Sequence, residues 1–445
     1  MAWVAAAAGW AESAQAGPPP RVQTFARSEG ADLFLREWSV GDSASPGGDG
    51  LGPVFNERSC FACHRLGGAG GAGPNSKNVS ILAVVGPADL DIEQKDGLAK
   101  WHSGLRNARS VVLHRFGPDP AYEAWRLDHA KTQPRVVSPK GSVTVVLVER
   151  NTPPIFGLGR IDAISEYIIE QEAMQPHPRF PEIKGRTSHL ADGRLGRFGW
   201  KGQVATLEDF VLSACAGELG LSAPGHPQPP DPRKADERAN PPGLDLLPKK
   251  ASALVDYVRE LADPIVARPH NLENFQSASL GKTLFSMIGC AECHTPRLGP
   301  VDGIYSDLLL HDMGPDDSEA AMYYGDPTVS PGRLAGPQEW RTPPLWGLAA
   351  SGPYMHDGRA LTLEQAIQKH GGEAAQTVKR FTRLSRPHQR ALWDFLSLLA
   401  APSVGMSKPV VVGMHASHFP SEPLFVPDQQ FKEMFPGFRS IMKTP

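Results

Sequence analysis

The feature that most constrains this chain is a pattern that occurs twice, Cys-x-x-Cys-His. The residues are Cys60, Cys63 and His64 in "SCFACHRLGG", and Cys290, Cys293 and His294 in "GCAECHTPRLG". Two cysteines three positions apart with a histidine directly after them are typical of covalent attachment of a c-type haem. Each cysteine would form a thioether at one edge of the porphyrin, and the histidine would reach the iron as an axial ligand. The sequence therefore predicts two haems.

A zinc site and a dithiol redox pair are the alternatives for these cysteines. The two pairs lie about 230 residues apart, whereas the pairs of a structural zinc site usually lie about 15–20 residues apart. A thioredoxin-like dithiol needs a βαβ context, and neither segment has one. Haem attachment also explains why a histidine follows both pairs. The fifth cysteine, Cys215, lies in an apolar run, which predicts a buried thiol.

More than the two motifs repeats along the chain. A segment with an aligned Leu-Phe precedes each motif, and a proline-led stretch, "TPPIFGL" or "TPPLWGL", follows it. Next come the Thr-Leu-Glu segments (206–218 and 362–373) and then the helical segments (253–264 and 391–402). Five elements in the same order would not arise from composition, so we predict two related haem domains.

The predicted fold class is mainly α, with two tandem domains and long irregular loops. The closing helical segments carry apolar residues at helical spacing, and each ends at a proline. The 45 Gly and 43 Pro residues predict long connections. Strand-like sequence is scant, and "SVTVVLVER" (142–150) is the best candidate. The predicted divisions are an N-terminal haem domain with large insertions (25–265), a C-terminal haem domain (279–402) and an extended tail (403–445).

The first residues predict export. The apolar run near the start and the Ala-Gln-Ala that follows fit a signal peptide over residues 1–16, although the charged n-region is missing, and a disordered Ala-rich arm is the alternative. A formal charge of −3 argues against binding to nucleic acid. No apolar run approaches the roughly 18 residues of a transmembrane segment.

The repeat makes the two predicted haems unequal. His370 lies eight residues after Thr362, and the same offset from Thr206 gives Ala214. We therefore predict His370 as the second axial ligand of the C-terminal iron. The alternative is a surface histidine at a helix end, because two glycines follow it.

For the N-terminal iron the sequence offers no equally clear second ligand. His114, in "VVLHRFG", is the first candidate and His102 the next. The remaining possibility is an open coordination position. An open iron can bind peroxide or another small oxidant, whereas two strong ligands favour electron transfer alone.

Several longer segments carry a family resemblance. They are "GGDGLGPVFNERSC" (47–60), "GRFGWKGQVATLEDF" (196–210), "YSDLLLHDMG" (305–314) and "PYMHDGRALTLEQAIQKHGGE" (353–373). Together with the two haem motifs they resemble the bacterial diheme oxidoreductase/peroxidase family, sometimes called diheme thiol oxidoreductase, a relative of the diheme cytochrome c peroxidases. The resemblance covers roughly residues 25–400. It implies two cytochrome c-like domains, a periplasmic location, and passage of electrons from the C-terminal haem to a peroxide site at the N-terminal haem.

The resemblance also implies site residues. In the peroxidase relatives a glutamate near the segment that matches "TLEDF" acts as general acid–base group, so Glu208 and Asp209 are the catalytic candidates. Glu364 occupies the place of Glu208 in the second repeat, so a helix-capping role is the alternative. The relatives usually carry a methionine about where His370 falls, and bis-histidine ligation should lower the potential of that haem. Met313 is the alternative ligand.

The predicted function is a diheme oxidoreductase that reduces hydrogen peroxide or a similar small oxidant. Trp200 is a candidate for a position between the haems, and a core tryptophan is the alternative. The expected partner is a small cytochrome or a cupredoxin. Calcium, which can lie between the domains of the peroxidase relatives, is a further cofactor that the resemblance leaves open. The alternative function is a non-enzymatic electron carrier with both irons fully ligated. Oxidation of a thiol compound rests on the family name alone.

Overall fold

The structure is a computed structural model, and it describes residues 28–87, 89–234, 243–269, 271–319 and 335–402. The predicted signal peptide and the predicted tail lie outside the described residues, so both stay predictions. In the described part of the chain, no helix is long and apolar enough to cross a membrane.

The helices fall into two sets, one in each half of the chain. Those before residue 265 are α1 (Glu29–Leu35), α2 (Cys60–Cys63), α3 (Ile92–Trp101), α4 (Ala121–Lys131), α5 (Leu158–Asp162), α6 (Glu166–Ala173), α7 (Leu207–Leu219) and α8 (Pro248–Arg259). Those after it are α9 (Leu272–Met287), α10 (Leu363–Gln368), α11 (Ala375–Thr382) and α12 (Arg386–Leu396). The closing helical segments of both repeats thus contain a helix, α8 or α12. Each helix begins and ends about five residues earlier than predicted.

The strands are short except for two. They are β1 (Val79–Val85), β2 (Ser110–Val112), β3 (Arg135–Ser138), β4 (Gly141–Arg150), β5 (Ser188–His189), β6 (Leu195–Gly196), β7 (Ile265–Val266), β8 (Arg297–Leu298), β9 (Val301–Asp302), β10 (Leu310–Asp312), β11 (Glu339–Arg341) and β12 (Leu399–Ala400). The predicted strand 142–150 is confirmed as β4.

The largest sheet is antiparallel and has the strand order β2-β1-β4-β3. Strand β1 pairs with β4 along its whole length, from Val79 opposite Arg150 to Val85 opposite Thr144. The sheet is inserted between the first Cys-x-x-Cys-His motif and the first proline-led stretch. Side chains on both of its faces are buried, because successive residues of a strand point to opposite faces. Leu82 and Val84 belong to one apolar cluster and Ile81 and Ala83 to the other.

The prediction of a mainly α fold is wrong. Helices take up 37% and strands 16% of the described residues, with several antiparallel sheets, and the cytochrome c-like character of the domains is not evident. The reason lies in the insertion that carries the sheet. Strand β1 is apolar without interruption from Ile81 to Val85, and such a run cannot be distinguished from a buried helical segment by periodicity.

Two larger apolar clusters support the two halves. The first contains residues of α1, α7 and α8, and the second contains residues of α9 and α12. The first cluster also includes Leu298, Val301 and Ile304, which come from beyond the predicted domain boundary. Packing therefore joins the two halves, and the predicted boundary between 265 and 279 stays a prediction.

Candidate functional site

The second Cys-x-x-Cys-His motif opens onto a cavity of about 260 Å³, which is lined by Cys290, Cys293 and His294. Gly289, directly before the motif, has a φ of 103°, a backbone conformation that glycine adopts without strain. The His294 Nδ1 donates to the carbonyl oxygen of Tyr305 at 2.9 Å. That hydrogen bond fixes the ring and leaves Nε2 available to a metal.

His370 faces His294 across this cavity. It follows the C-terminal end of α10, and its Nδ1 donates to the carbonyl oxygen of Ala366 at 2.7 Å. The two ring centroids are 6.5 Å apart, and the ring planes make an angle of 63°. A metal about 2 Å from each Nε2, the usual metal–imidazole distance, fits between rings at this separation. The pair therefore suits an iron with two axial imidazoles.

Burial keeps both of these imidazoles neutral near pH 7. Burial, together with the nearby charge of His370, lowers the pKa of His294 to about 4. Burial also lowers the pKa of His370. A neutral imidazole is the form that binds a metal. Met313 lines the same cavity, but the paired ring geometry favours His370 as the second ligand.

The first Cys-x-x-Cys-His motif opens onto a cavity of about 120 Å³, lined by Cys60, Cys63 and His64. The two cysteines lie at the ends of α2, and the Ser59 side chain accepts a hydrogen bond from the Ala62 N–H at 3.1 Å. The His64 Nδ1 donates to the carbonyl oxygen of Gly71 at 3.2 Å. Burial lowers the pKa of His64 to about 4. This imidazole is thus prepared as a ligand in the same way as His294.

Helix α7 forms much of the rest of this first cavity. It contributes Phe210, Val211, Ala214, Cys215 and Glu218. These positions are spaced by one, three and four residues, so they share one face of the helix. Among the described residues that line the cavity, His64 is the only histidine and there is no methionine. The two cavities therefore differ in their supply of strong second ligands.

Neither of the predicted catalytic acids lines the first cavity. Glu208 is exposed to solvent. Asp209 accepts hydrogen bonds from Thr206 Oγ1 at 2.9 Å and from Arg194 at 3.2 Å. Thr206 in turn accepts from the Asp209 N–H at 3.1 Å, as the N-cap of α7. The first turn of α7 faces away from the cavity, so the geometry favours the helix-capping alternative.

The two histidines considered for the first iron also lie outside the cavity lining. The His114 Nε2 donates to the carbonyl oxygen of Gly217 at 2.9 Å. His102 is buried in the insertion that carries the four-stranded sheet (79–150), which we call the inserted subdomain. Its ring lies 5.8 Å from that of Trp125. Their positions therefore leave His64 without a second histidine in this cavity.

Glu218 is an acid in the first cavity that the sequence did not identify. The Asn56 Nδ2 donates to its Oε2 at 2.7 Å, and the Asn56 Oδ1 accepts from the Arg115 N–H at 2.9 Å. The second contact fixes which way the amide of Asn56 points. One signal was available: Glu218 lies four residues after Ala214, the position that matches His370 in the repeat.

Trp200 lies between the two cavities and lines both of them. Its indole Nε1 donates to the carbonyl oxygen of Asn151 at 3.2 Å, and its own carbonyl oxygen accepts from the Arg341 N–H at 2.9 Å. Residues 151–153 also line both cavities. The indole is thus held by Asn151, and the backbone of Trp200 is bound to the second half of the chain.

The structure forms no obvious calcium site in its described part. The one group of His, Cys, Asp and Glu side chains there that could share a metal ion is Cys293, Asp307 and His311. A thiol and an imidazole do not suit calcium, which prefers oxygen ligands. Cys293 is moreover a predicted haem attachment point, so this cluster does not support calcium binding. Calcium stays a prediction.

Comparisons with known proteins find di-haem relatives for part of the chain, including the second motif. Residues 243–399 match the family model "Di-haem oxidoreductase, putative peroxidase". A stretch of 141 residues is 30% identical to the methylamine utilization protein MauG of Methylorubrum extorquens, and it covers 30% of this chain and 37% of that protein. The chain thus spans little more than a third of the length of the curated relative it matches.

Two solved structures show weaker likeness. One is a hydrazine synthase of Kuenenia stuttgartiensis, with 18% identity over 57% of this chain and 73% of that one, at a TM-score of 0.33. The other is a MauG-like protein associated with microbial copper homeostasis, with 18% identity over 55% of this chain and 92% of that one, at a TM-score of 0.32. Over residues 243–399 the chain is thus similar to the di-haem, peroxidase-like oxidoreductases.

Proposed function

We propose that the chain is a periplasmic diheme peroxidase that reduces hydrogen peroxide or a similar small oxidant. The haems, held covalently by Cys60 and Cys63 and by Cys290 and Cys293, would supply two irons that exchange single electrons, one of which can bind the oxidant. The observation that carries this proposal is the inequality of the cavities. His370 faces His294 at 6.5 Å, whereas the first cavity offers no second histidine or methionine in the described part of the chain.

The second cavity is arranged for electron transfer. His294 and His370 would occupy both axial positions of its metal and so exclude a small molecule from them. Their Nδ1 hydrogen bonds to backbone carbonyl oxygens hold both rings in place without a change in geometry when an electron arrives. Two histidines also favour a lower potential than a histidine and a methionine would give.

The first cavity is arranged for chemistry on a small oxidant. His64 would hold the metal from one side, and small or apolar side chains of α7, among them Ala214, leave room in the cavity. Reduction of hydrogen peroxide to two water molecules consumes two electrons and two protons. The protons require an acid–base group close to the substrate.

We assign that proton transfer to Glu218. Its Oε2 accepts from Asn56, which holds the carboxyl group in the cavity lining. Glu57 also lines the cavity, but it already pairs with Lys77 and lies 3.6 Å from Arg115. The Glu57 carboxylate is therefore already engaged with two cations. Glu218 would carry a proton to the leaving oxygen of peroxide.

Trp200 would connect the two sites. It lines both cavities, and the hydrogen bond from its indole Nε1 to the Asn151 carbonyl oxygen fixes the orientation of the ring. An aromatic ring that contacts both haems would shorten the gap that an electron must cross. The expected external donor is a small redox protein such as a cytochrome or a cupredoxin.

Stoichiometry distinguishes this function from that of an electron carrier. The purified protein should first show about two c-type haems per chain in the spectrum of its pyridine-treated form. The fully reduced protein is then mixed anaerobically with one equivalent of hydrogen peroxide. A peroxidase reoxidises both haems within one rapid phase and consumes the peroxide, since each peroxide takes two electrons. Slow reoxidation with most of the peroxide left would identify a carrier.

A further inference from the structure

We propose that α11 and the first part of α12 form the docking surface for an acidic redox protein that delivers electrons to the second haem. This surface, which we call the α11–α12 surface, consists of Lys379, Arg380, Arg383, Arg386 and Arg390. The inference rests on the proposed function, because it names the partner of the second haem.

The α11–α12 surface is a concentration of one charge in a chain of the opposite sign. The chain carries a formal charge of −3, yet the segment between Glu373 and Asp394 contains five lysines and arginines and no acidic residue. Only one turn separates α11 from α12, at residues 383–385, so the five cations lie close together on neighbouring helices. Such a concentration of positive charge creates an electrostatic field that attracts anionic partners.

Most of these cations are free to meet a partner. Lys379, Arg383 and Arg390 are exposed, and no ion pair joins them to any residue in the described ranges. Arg386 is 86% exposed and lies 3.9 Å from Glu364, a contact too loose to neutralise it. Exposed lysine and arginine side chains on a surface are also the groups that change association rates most.

The acidic residues near the α11–α12 surface are already engaged. Glu182 lies 3.5 Å from Arg380, and Glu292 accepts from His177 at 2.8 Å. Glu373 accepts from the His311 Nδ1 at 2.8 Å. Glu182 therefore offsets one cation of the surface, Arg380, whereas Glu292 and Glu373 are engaged with histidines and leave the other cations uncompensated.

The α11–α12 surface borders the second cavity. Thr377 and Val378 of α11 line the cavity and directly precede Lys379. A Cβ at Gly289 would come within 2.8 Å of the Thr377 Oγ1, so α11 packs against the segment that carries Cys290. A protein docked on α11 would therefore approach the haem edge to within about one helix diameter, roughly 10 Å.

An electron-donating protein fits this surface better than an anionic lipid surface does. Short-lived redox complexes use small, charged interfaces, and complementary charge raises their association rate. The location beside the second cavity gives a redox partner a reason to dock there, whereas a lipid surface would gain nothing from it. The partner should present a row of carboxylates around its own redox centre.

Stopped-flow reduction of the second haem tests the proposal without any turnover. The oxidised holoprotein is mixed anaerobically with flavodoxin hydroquinone, an acidic low-potential donor, and separately with reduced methyl viologen, a small cation. The charge-reversal variant K379E/R383E/R390E is compared with K95E/K100E/K131E, which changes the same charge at exposed lysines of the inserted subdomain. A prior titration with dithionite measures the reducible haem in the wild type and in each variant. Absence of reducible haem would count against the proposed function, and it would be recognised before any rate is compared.

In the variant of the α11–α12 surface, flavodoxin hydroquinone should reduce the second haem about tenfold or more slowly at low salt than in the wild type. Most of the salt dependence of this rate should also be lost. For the control variant, the rate of reduction by flavodoxin should stay within about twofold of the wild-type rate. Methyl viologen should reduce the surface variant no more slowly than it reduces the wild type. The neutral variant K379Q/R383Q/R390Q should give an intermediate rate, which guards against misfolding of the charge-reversed protein. Equal losses in surface and control variants would overturn the proposal. So would an unchanged flavodoxin rate combined with lost binding to phosphatidylglycerol vesicles, since the surface would then serve a membrane.

Discussion

The imidazole rings of His294 and His370 face each other with their centroids 6.5 Å apart, and each ring is anchored through Nδ1 to a backbone carbonyl oxygen. The arrangement is chemically specific, because both Nε2 atoms are left for one shared metal. The equivalent place in the first cavity is formed by a helix face that contains Ala214 and Glu218. One chain thus contains two related cavities, and among the described lining residues only the second places another histidine opposite the motif histidine.

Replacement of His370 should change only the second haem. We expect His370→Ala to convert one low-spin haem to high spin, because the iron loses a strong axial ligand. His370→Met should instead keep the haem low-spin and raise its potential by on the order of 0.1 V, a fraction of the range that axial ligands cover. Optical spectra and redox titration measure both effects. His189→Ala, at a hairpin away from both cavities, is the control, and an unchanged spectrum for His370→Ala would exclude His370 as the ligand.

Replacement of Glu218 should slow the reaction with peroxide. Glu218→Gln keeps the shape of the side chain but cannot transfer a proton, so we expect the second-order rate constant for peroxide to fall by about 10²–10⁴. The haem spectra should hardly change. Glu208→Gln is the matched control on the same helix, and its rate should stay within about twofold of wild type because that residue faces solvent. Equal losses for both variants would argue for a general effect on α7.

Replacement of Trp200 should slow electron transfer between the haems. Trp200→Phe keeps an aromatic ring, whereas Trp200→Leu removes it, so we expect a larger loss for leucine, at least about tenfold in the transfer rate. The measurement is the rate at which a reduced second haem reduces the first, followed after a flash or rapid mixing. Peroxide binding to the first iron should be unaffected. A rate for Trp200→Leu equal to that of wild type would show that electrons take another path.

The sequence predicted the chemistry of the sites better than their surroundings. Cys60, Cys63 and His64, and their counterparts in the second motif, are local patterns, so their spacing alone places them together. His370 was identified from the internal repeat, because equal offsets from Thr362 and Thr206 give a histidine in one copy and an alanine in the other. The structure places it opposite His294.

Other residues could not be predicted, for identifiable physical reasons. Glu208 and Glu218 lie on one helix, and only the way α7 packs decides which of the two faces the cavity. The inserted sheet was missed because β1 is short and apolar without interruption from Ile81 to Val85, so that part of it shows no alternation. Strand β4 was found because its sequence, rich in β-branched residues, resembles a strand in isolation.

His311 should make the stability of the protein depend on pH. Burial alone would lower the pKa of this side chain, but the charge of Asp307 and the hydrogen bond that His311 donates to it raise the pKa well above its ordinary value. A raised pKa in the folded state means that the folded protein binds the proton more tightly than the unfolded chain does. The stabilisation is therefore fully present below about pH 6.5 and is lost as the pH rises through the folded pKa.

Comparison of His311→Gln with wild type measures this effect. The difference in the free energy of unfolding should be largest near pH 6 and should shrink in alkaline solution. We expect a loss of about 3–5 kcal/mol at pH 6, since the substitution leaves the buried carboxylate of Asp307 and the partly buried carboxylate of Glu373 without their cation. His189→Gln serves as control and should show a small difference that does not change with pH. A loss for His311→Gln that stays constant from pH 6 to pH 10 would contradict the assigned charge.

The most direct test of the account is an electron paramagnetic resonance spectrum of the oxidised protein with both haems in place. The central claim of the account is that the two irons differ in their second ligand. We predict one low-spin signal typical of two axial histidines, which disappears in His370→Ala, and one high-spin signal from the iron held by His64. Two low-spin signals of equal intensity, neither of them changed by His370→Ala, would contradict the claim.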